Sequence, residues 1–142
     1  MLGVIFSVIS GAAMSFQGVM NTRLGEKAGL LEANVFVQGT AFILSLIAML
    51  AFGNGNIKAV LDTDKIYLAG GILGLVITVT VMLSIRNSSP TIAISVILIA
   101  QLLVAACIDA FGLLGTARVP FTWGKYAGIT AMLLGVVLFK NF

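Results

Sequence analysis

Four amide side chains stand out in this sequence because they lie within long stretches that carry no charge. They are Gln17, Asn21, Gln38 and Gln101. An amide donates and accepts hydrogen bonds without carrying a charge, so it suits a polar ligand or a helix interface. Two interpretations stay open: the amides line the path of a small molecule, or they bond between helices at about 0.6 kcal/mol a pair.

The spacing of these polar residues places them on shared helix faces. Gln17 and Asn21 are four residues apart and share a face with Ser10. Asn34 and Gln38 share a face of the next apolar segment in the same way. We therefore predict a substrate-binding set made of the four amides together with Ser10 and Asn34.

Asp109 ends the uncharged stretch 91–108. Two roles stay open for its carboxylate: it binds a coupling cation or proton, or it caps the helix and pairs at the membrane surface. Its position within a turn of the helix end favours the second role.

The residue types of most enzyme and metal sites are missing. The sequence has no histidine, and Cys107 is its lone cysteine, so neither a zinc pattern nor an intrachain disulfide is available. There is also no paired intramembrane carboxylate, no Ser–His pair and no Gly-rich phosphate loop with lysine, one of which an enzyme would need. We expect no catalytic residue, no metal and no cofactor, and we interpret Cys107 as a packing residue.

The composition predicts an integral membrane protein. Of the 142 residues, 60% are hydrophobic and 9% are charged, whereas soluble domains carry about 25% charged residues. The net charge of +3 is spread over the connections. No basic patch is dense enough to bind nucleic acid.

Charged residues divide the chain into five apolar segments, which predict one all-α transmembrane domain, 1–142. The predicted helices span about 2–22, 32–53, 66–86, 90–110 and 124–141, with a polar hinge at 23–32. The segments are continuously apolar rather than alternating, which disfavours a β-barrel. Pro90 suits the first turn of the fourth helix, with Ser88 or Ser89 as its cap. No Lys or Arg precedes the first apolar core, so we expect a retained span rather than a signal peptide.

Small residues recur every fourth position, a pattern that lets transmembrane helices approach closely. The residues that we predict to pack helices are Gly3, Ser7, Gly11, Gly70, Gly74, Gly124 and Gly128.

The cationic residues show no bias between the two sides of the predicted bundle. One side carries Arg23, Lys27, Arg86 and Lys140, and the other carries Lys58, Lys65, Arg118 and Lys125. Because Lys and Arg normally favour the cytoplasmic side, this tie predicts insertion in both orientations. Two oppositely inserted copies would form an antiparallel homodimer, the two-chain equivalent of an inverted repeat. A tie by chance among so few charges is the alternative.

Four segments carry a resemblance to a known family: SFQGVMNTRLGEKAG, VQGTAF (37–42), YLAGGILGLV (67–76) and AQLLVAACIDAFGLLG (100–115). Together they resemble the YdcZ-like family of the drug/metabolite transporter (DMT) superfamily over nearly the whole chain. The most specific elements are Gln-x3-Asn-x-x-Leu-Gly from Gln17 and Gln-x7-Asp-x-Phe-Gly from Gln101. The sequence departs from the family pattern at Ala100, where glycine is common, and at Ala110, where histidine is common.

The resemblance implies a five-helix subunit equivalent to half of a ten-helix inverted-repeat transporter in a prokaryotic inner membrane. Its partner would be a second copy, inserted antiparallel, or a paralogous five-helix subunit. The other expected partners are membrane lipid and a small-molecule substrate.

We therefore expect a secondary transporter, and an exporter, of a small organic metabolite or amphipathic compound that works by alternating access. Since no acidic residue lies deep within a span, we favour a neutral or polar substrate over a strongly cationic one. A passive dimeric channel and a non-transporting accessory membrane subunit stay open as alternatives.

Overall fold

The structure, a computed structural model, describes residues 1–141 as a succession of α-helices. These are α1 (Leu2–Ala28), α2 (Leu30–Phe52), α3 (Gly70–Asn87), α4 (Pro90–Phe111) and α5 (Trp123–Asn141). Short 3-10 helices precede α3, at Ile57–Asp62 and Lys65–Ala69, and another follows α4, at Leu113–Gly115. No strand occurs in the described part of the chain, so the all-α prediction is confirmed.

Four of these segments are long and apolar enough to cross a membrane. They are α1, α2, α4 and the segment Lys65–Asn87, which contains α3. Helix α5 has 19 residues, but its crossing of the membrane, and with it the count of five spans, stays a prediction.

The contacts between helices define two compact units, of which the first ends at Asn87 and the second begins at Ser88. In the first unit α1 packs against both α2 and α3, and in the second α4 packs against α5. Each unit therefore has its own helix interface.

The first helix is longer than predicted, because charged side chains do not end it. Arg23 and Glu26 pair across one turn, with 3.0 Å between Nη1 and Oε2, and this spacing supports a helix. The chain breaks only at Gly29, whose φ of 103° is accessible mainly to glycine. The predicted hinge at 23–32 is therefore wrong: the connection between α1 and α2 is Gly29 alone.

The start of α4 confirms the prediction from its sequence. Pro90 is its first residue, and Ser89 Oγ accepts a hydrogen bond from the Ile92 N–H at 3.3 Å. The helix ends at Gly112, whose φ of 64° is the left-handed conformation common at such ends.

The interface of the first unit is concentrated around the Gly29 connection. A Cβ added to Gly25 would lie 3.5 Å from Met82 Sδ and 3.8 Å from Ala33 Cβ, and both Met82 and Ala33 are 1% exposed. By contrast, residues 2–14 of α1 and 39–52 of α2 are exposed throughout. The chain therefore holds α1 and α2 together at one end only.

Candidate functional site

Two of the predicted amides are buried within the first unit, Asn21 on α1 and Asn34 on α2. Asn21 is 8% exposed and Asn34 is 5% exposed. Beside Asn21, the buried Thr22 hydroxyl donates to the Gly18 carbonyl within the same helix at 2.7 Å. Polar side chains are thus among the most buried side chains of the first unit.

Asn34 carries an unsatisfied acceptor. Its Oδ1 is buried and accepts no hydrogen bond from any residue in the described range 1–141. Leaving a buried polar atom without a partner costs about 1–3 kcal/mol. Asn34 Oδ1 is therefore an acceptor that the first unit leaves available.

Gln38 lies one turn further along α2 and faces the glycines of α3. A Cβ added to Gly74 would be 3.3 Å from Gln38 Nε2, so the amide rests close to the α3 backbone. Between the two helices lies an open cleft of about 600 Å³. Its lining includes Asn34 and Gln38 from α2 and Gly70, Gly71 and Gly74 from α3; we call it the α2–α3 cleft.

The other predicted binding residues do not join this cleft. Gln17 and Ser10 are exposed on α1, and Gln101 is exposed on α4. Gln17 and Asn21 are four residues apart on α1, yet Asn21 is buried against the rest of the first unit and Gln17 is exposed. The role of all six residues in substrate binding stays a prediction.

Asp109 lies in the second unit, near the end of α4. Its carbonyl accepts the Val119 N–H at 2.8 Å, and the neighbouring Ala110 carbonyl accepts Arg118 Nε at 3.0 Å. The returning loop thus satisfies carbonyls that the end of a helix leaves free. The Asp109 carboxylate itself takes no part: within residues 1–141 no hydrogen bond or ion pair to it is found.

A pocket of about 210 Å³ lies between α4 and α5; we call it the α4–α5 pocket. Apolar residues that include Leu102, Ile129 and Met132 line it, together with Asp109 and Lys125. Lys125 Nζ is buried and has no hydrogen-bond acceptor in the described part of the chain. From the sequence we interpret Lys125 as a connection cation or an interfacial anchor of the fifth helix and not as a site residue, so its place in this pocket was not predicted.

The predicted packing residues differ in what surrounds them. Gly74 contacts Gln38, whereas Gly3, Gly11, Gly70 and Gly128 have open space where a Cβ would lie, and Gly124 has only Thr122 Oγ1 at 3.9 Å. Ser7 is exposed and donates to the Gly3 carbonyl at 3.0 Å. Their role in packing, including packing between chains, stays a prediction.

Gly18, a glycine that was not predicted to pack helices, lies directly against side chains of α3. A Cβ added to Gly18 would lie 2.9 Å from Ile85 Cδ1 and 3.2 Å from Val81 Cγ1. The signal was present, because Gly11, Ser15, Gly18, Thr22 and Gly25 recur at alternating intervals of four and three. That alternation follows the 3.6-residue helical turn better than a strict interval of four.

Comparison with known proteins gives one match. No curated protein and no solved structure matches the chain. The family model described as "Putative inner membrane exporter, YdcZ" matches residues 2–138, which confirms the predicted family. Together with the four apolar helices, this match indicates an integral inner membrane protein: the chain belongs to the YdcZ family of inner membrane exporters.

Proposed function

We propose that this protein is a secondary transporter that exports a small neutral or polar organic compound. It works as an antiparallel dual-topology dimer by alternating access, with the α2–α3 cleft as part of the substrate path. The description of the family, "Putative inner membrane exporter, YdcZ", supports export, and the cleft of about 600 Å³ is large enough for a small molecule.

The observation that carries this proposal is the unsatisfied Oδ1 of Asn34 beside Gln38 at the cleft. Purely structural amides would be expected to satisfy one another, because the unpaired state is costly. Two amides at an open cleft, one of them with a free acceptor, fit a ligand that donates a hydrogen bond. Neither residue is charged, which agrees with a cargo that is neutral or polar.

Support for a dimer comes from the amides that the chain leaves uncovered. Gln17 and Gln101 are exposed, and at most 17% of any candidate span is buried within the chain. Lipid can cover the apolar surface, but an amide exposed to lipid raises the free energy of the protein, so amides in spans normally face protein or water. A second copy would supply that cover, and the even charge count allows it to insert in the opposite orientation.

The experiment is counterflow in proteoliposomes, with a ligand first found by thermal-shift screening of neutral polar metabolites. We expect unlabelled compound inside the vesicles to accelerate uptake of labelled compound, because a carrier exchanges its cargo. We also expect Gln38→Leu and Gln101→Leu to reduce this exchange at least about tenfold, a change of about 1.4 kcal/mol.

Thr40→Val is the matched control, because Thr40 is exposed and its hydroxyl already bonds to the Phe36 carbonyl of its own helix at 3.0 Å. Flux without acceleration from the opposite side would instead establish a passive channel. Loss of assembly in both glutamine variants, with no flux in the wild type, would establish an accessory subunit.

A further inference from the structure

Two residues of opposite charge, Asp109 and Lys125, line the otherwise apolar α4–α5 pocket and do not pair with each other. The ion pair found within residues 1–141 is that of Arg23 and Glu26. Lys125 Nζ lies over the Phe121 ring, 5.9 Å from its centroid. A charge kept from water without a partner is strongly unfavourable, and Lys125 Nζ is buried in this way. The half-buried Asp109 carboxylate has no partner within residues 1–141 either, so both groups are free to pair with a ligand.

The positions of these two charges oppose the dipoles of their helices. Asp109 lies in the last turn of α4 and Lys125 in the first turn of α5. A helix stabilises cations at its C-terminus and anions at its N-terminus, so each residue has the sign that its helix end disfavours. A ligand charge of the opposite sign to each residue, a cation beside Asp109 and an anion beside Lys125, would suit both the residue and the helix end.

We infer that the α4–α5 pocket binds a small amphipathic zwitterion. Its ammonium group pairs with Asp109, and its anionic group, a carboxylate or a phosphate, pairs with Lys125 and the N–H groups that open α5. Its apolar body packs against Leu102, Ile129 and Met132. This inference does not depend on the α2–α3 cleft or on transport, because the pocket lies within the second unit.

Two sources present this chemistry: a free amphipathic zwitterion of the amino-acid type, and the headgroup of a zwitterionic lipid. Both carry an ammonium and an anion a few bonds apart on an apolar body. They differ in whether the ligand arrives from water or is supplied by the bilayer, and the composition of the bilayer therefore separates them.

The test uses the full chain in nanodiscs of phosphatidylglycerol, a lipid without an ammonium group. Isothermal titration compares three probes of similar apolar shape: L-leucine, 4-methylpentanoate, which lacks the ammonium, and 3-methylbutylamine, which lacks the carboxylate. We expect leucine to bind at least about tenfold more tightly than either single-charge probe. Asp109→Asn and Lys125→Gln should each weaken leucine binding by a similar factor, whereas Lys58→Gln, in an exposed connection, should not.

Nanodiscs of phosphatidylethanolamine form the second arm. Weaker apparent leucine binding in these discs shows that the headgroup competes for the same pocket. If leucine fails to bind in either disc but phosphatidylethanolamine raises the Tm of the wild type and not of Asp109→Asn, the lipid is the zwitterion and the inference holds.

Equal binding of all three probes overturns the inference, and so does the absence of any effect from both leucine and phosphatidylethanolamine. A structural ion pair gives a different pattern: each single variant lowers the Tm, and the double variant restores it without any ligand effect. That result also overturns the inference. If the variants do not fold, the comparison of the three probes on the wild type still tests whether the pocket needs both charges of the ligand.

Discussion

The amide of Gln38 rests against the backbone of α3, since a Cβ added to Gly74 would lie 3.3 Å from Gln38 Nε2. Gln38, a predicted binding residue on α2, can hold this conformation because Gly74 on α3 has no side chain. Substitutions at this contact separate the positioning of the amide from the packing of the helices.

Gly74→Ala should reduce transport several-fold while leaving the protein folded. The added methyl group meets only the far end of a flexible side chain, so Gln38 turns away rather than the helices separating. Alanine also has a helix propensity about 1 kcal/mol more favourable than glycine, so the Tm should hold or rise. Counterflow and a thermal melt measure the two effects.

Gly70→Ala is the control for this change, because a Cβ there has nothing within 4 Å. Gly70 also lines the α2–α3 cleft, so this variant adds a methyl group to the cleft without touching Gln38, and we expect it to transport faster than Gly74→Ala. Equal loss of transport in both variants would show that the cleft needs glycine for its width and not for the position of Gln38.

Gly18→Ala should destabilise the first unit by about 1–3 kcal/mol, the usual cost of overpacking. The new Cβ would come within 2.9 Å of Cδ1 of Ile85, a side chain that is only 6% exposed and has little room to move. A Tm measured in detergent reports the loss.

Ile85→Val removes the Cδ1 atom, so it should restore part of the Tm in the Gly18→Ala background. Recovery should be incomplete, because Val81 Cγ1 would still be 3.2 Å from the added Cβ. Gly11→Ala, which meets nothing within 4 Å, should not lower the Tm. An equal drop at positions 11 and 18 would show that Gly11 packs too, against another chain.

Asn34→Leu should raise the stability of the protein and abolish most of its transport. Leucine has a similar branched shape, and it removes an acceptor whose unsatisfied state costs about 1–3 kcal/mol. Active proteins retain such costs at functional sites. The Tm and the counterflow rate should therefore move in opposite directions.

Thr22→Val provides the comparison, because it deletes a buried hydroxyl that does have a partner, the Gly18 carbonyl. It should cost about 1 kcal/mol and leave transport in place. If Asn34→Leu instead unfolds the protein, Asn34 is structural, and the proposed role of the cleft fails.

The two orientations should be separable by charge. Asn54→Lys adds a cation to one side of the charge count and Asn87→Lys adds one to the other. Each variant alone should insert mainly one way and lose activity, and the two expressed together should regain it. A labelling cysteine appended at the C-terminus, in a Cys107→Ala background, reports the orientation from each side of the membrane.

Labelling of the wild type from one side only would contradict the antiparallel homodimer and point to a paralogous five-helix partner. Full activity of each charge variant alone would contradict the need for two orientations.

The sequence predicted the helices well because long apolar segments in lipid have few other ways to satisfy the backbone. The predicted end of the first helix, before Arg23, was wrong. Charged residues mark where a span leaves the lipid, but the helix itself can continue beyond them. Only Gly29 breaks the backbone there, and Gly29 looks like any other glycine in the printed sequence.

The candidate site was only partly predictable for a related reason. Helical spacing correctly put Asn34 and Gln38 on one side of α2. It could not show that Asn21 would be buried while Gln17 is exposed, because that depends on where α3 lies against α1. The burial of Lys125 was not predicted, because it depends on how the connection folds around the start of α5. Helical periodicity gives no information about that connection.

The single-residue connection at Gly29 has a consequence for biosynthesis. Only one residue separates α1 from α2, so we expect the two helices to insert into the membrane together, as a helical hairpin. Arg23, Glu26 and Lys27 lie close to its turn and would stay on the same side of the membrane. The orientation of α1 and α2 would then be set in one step.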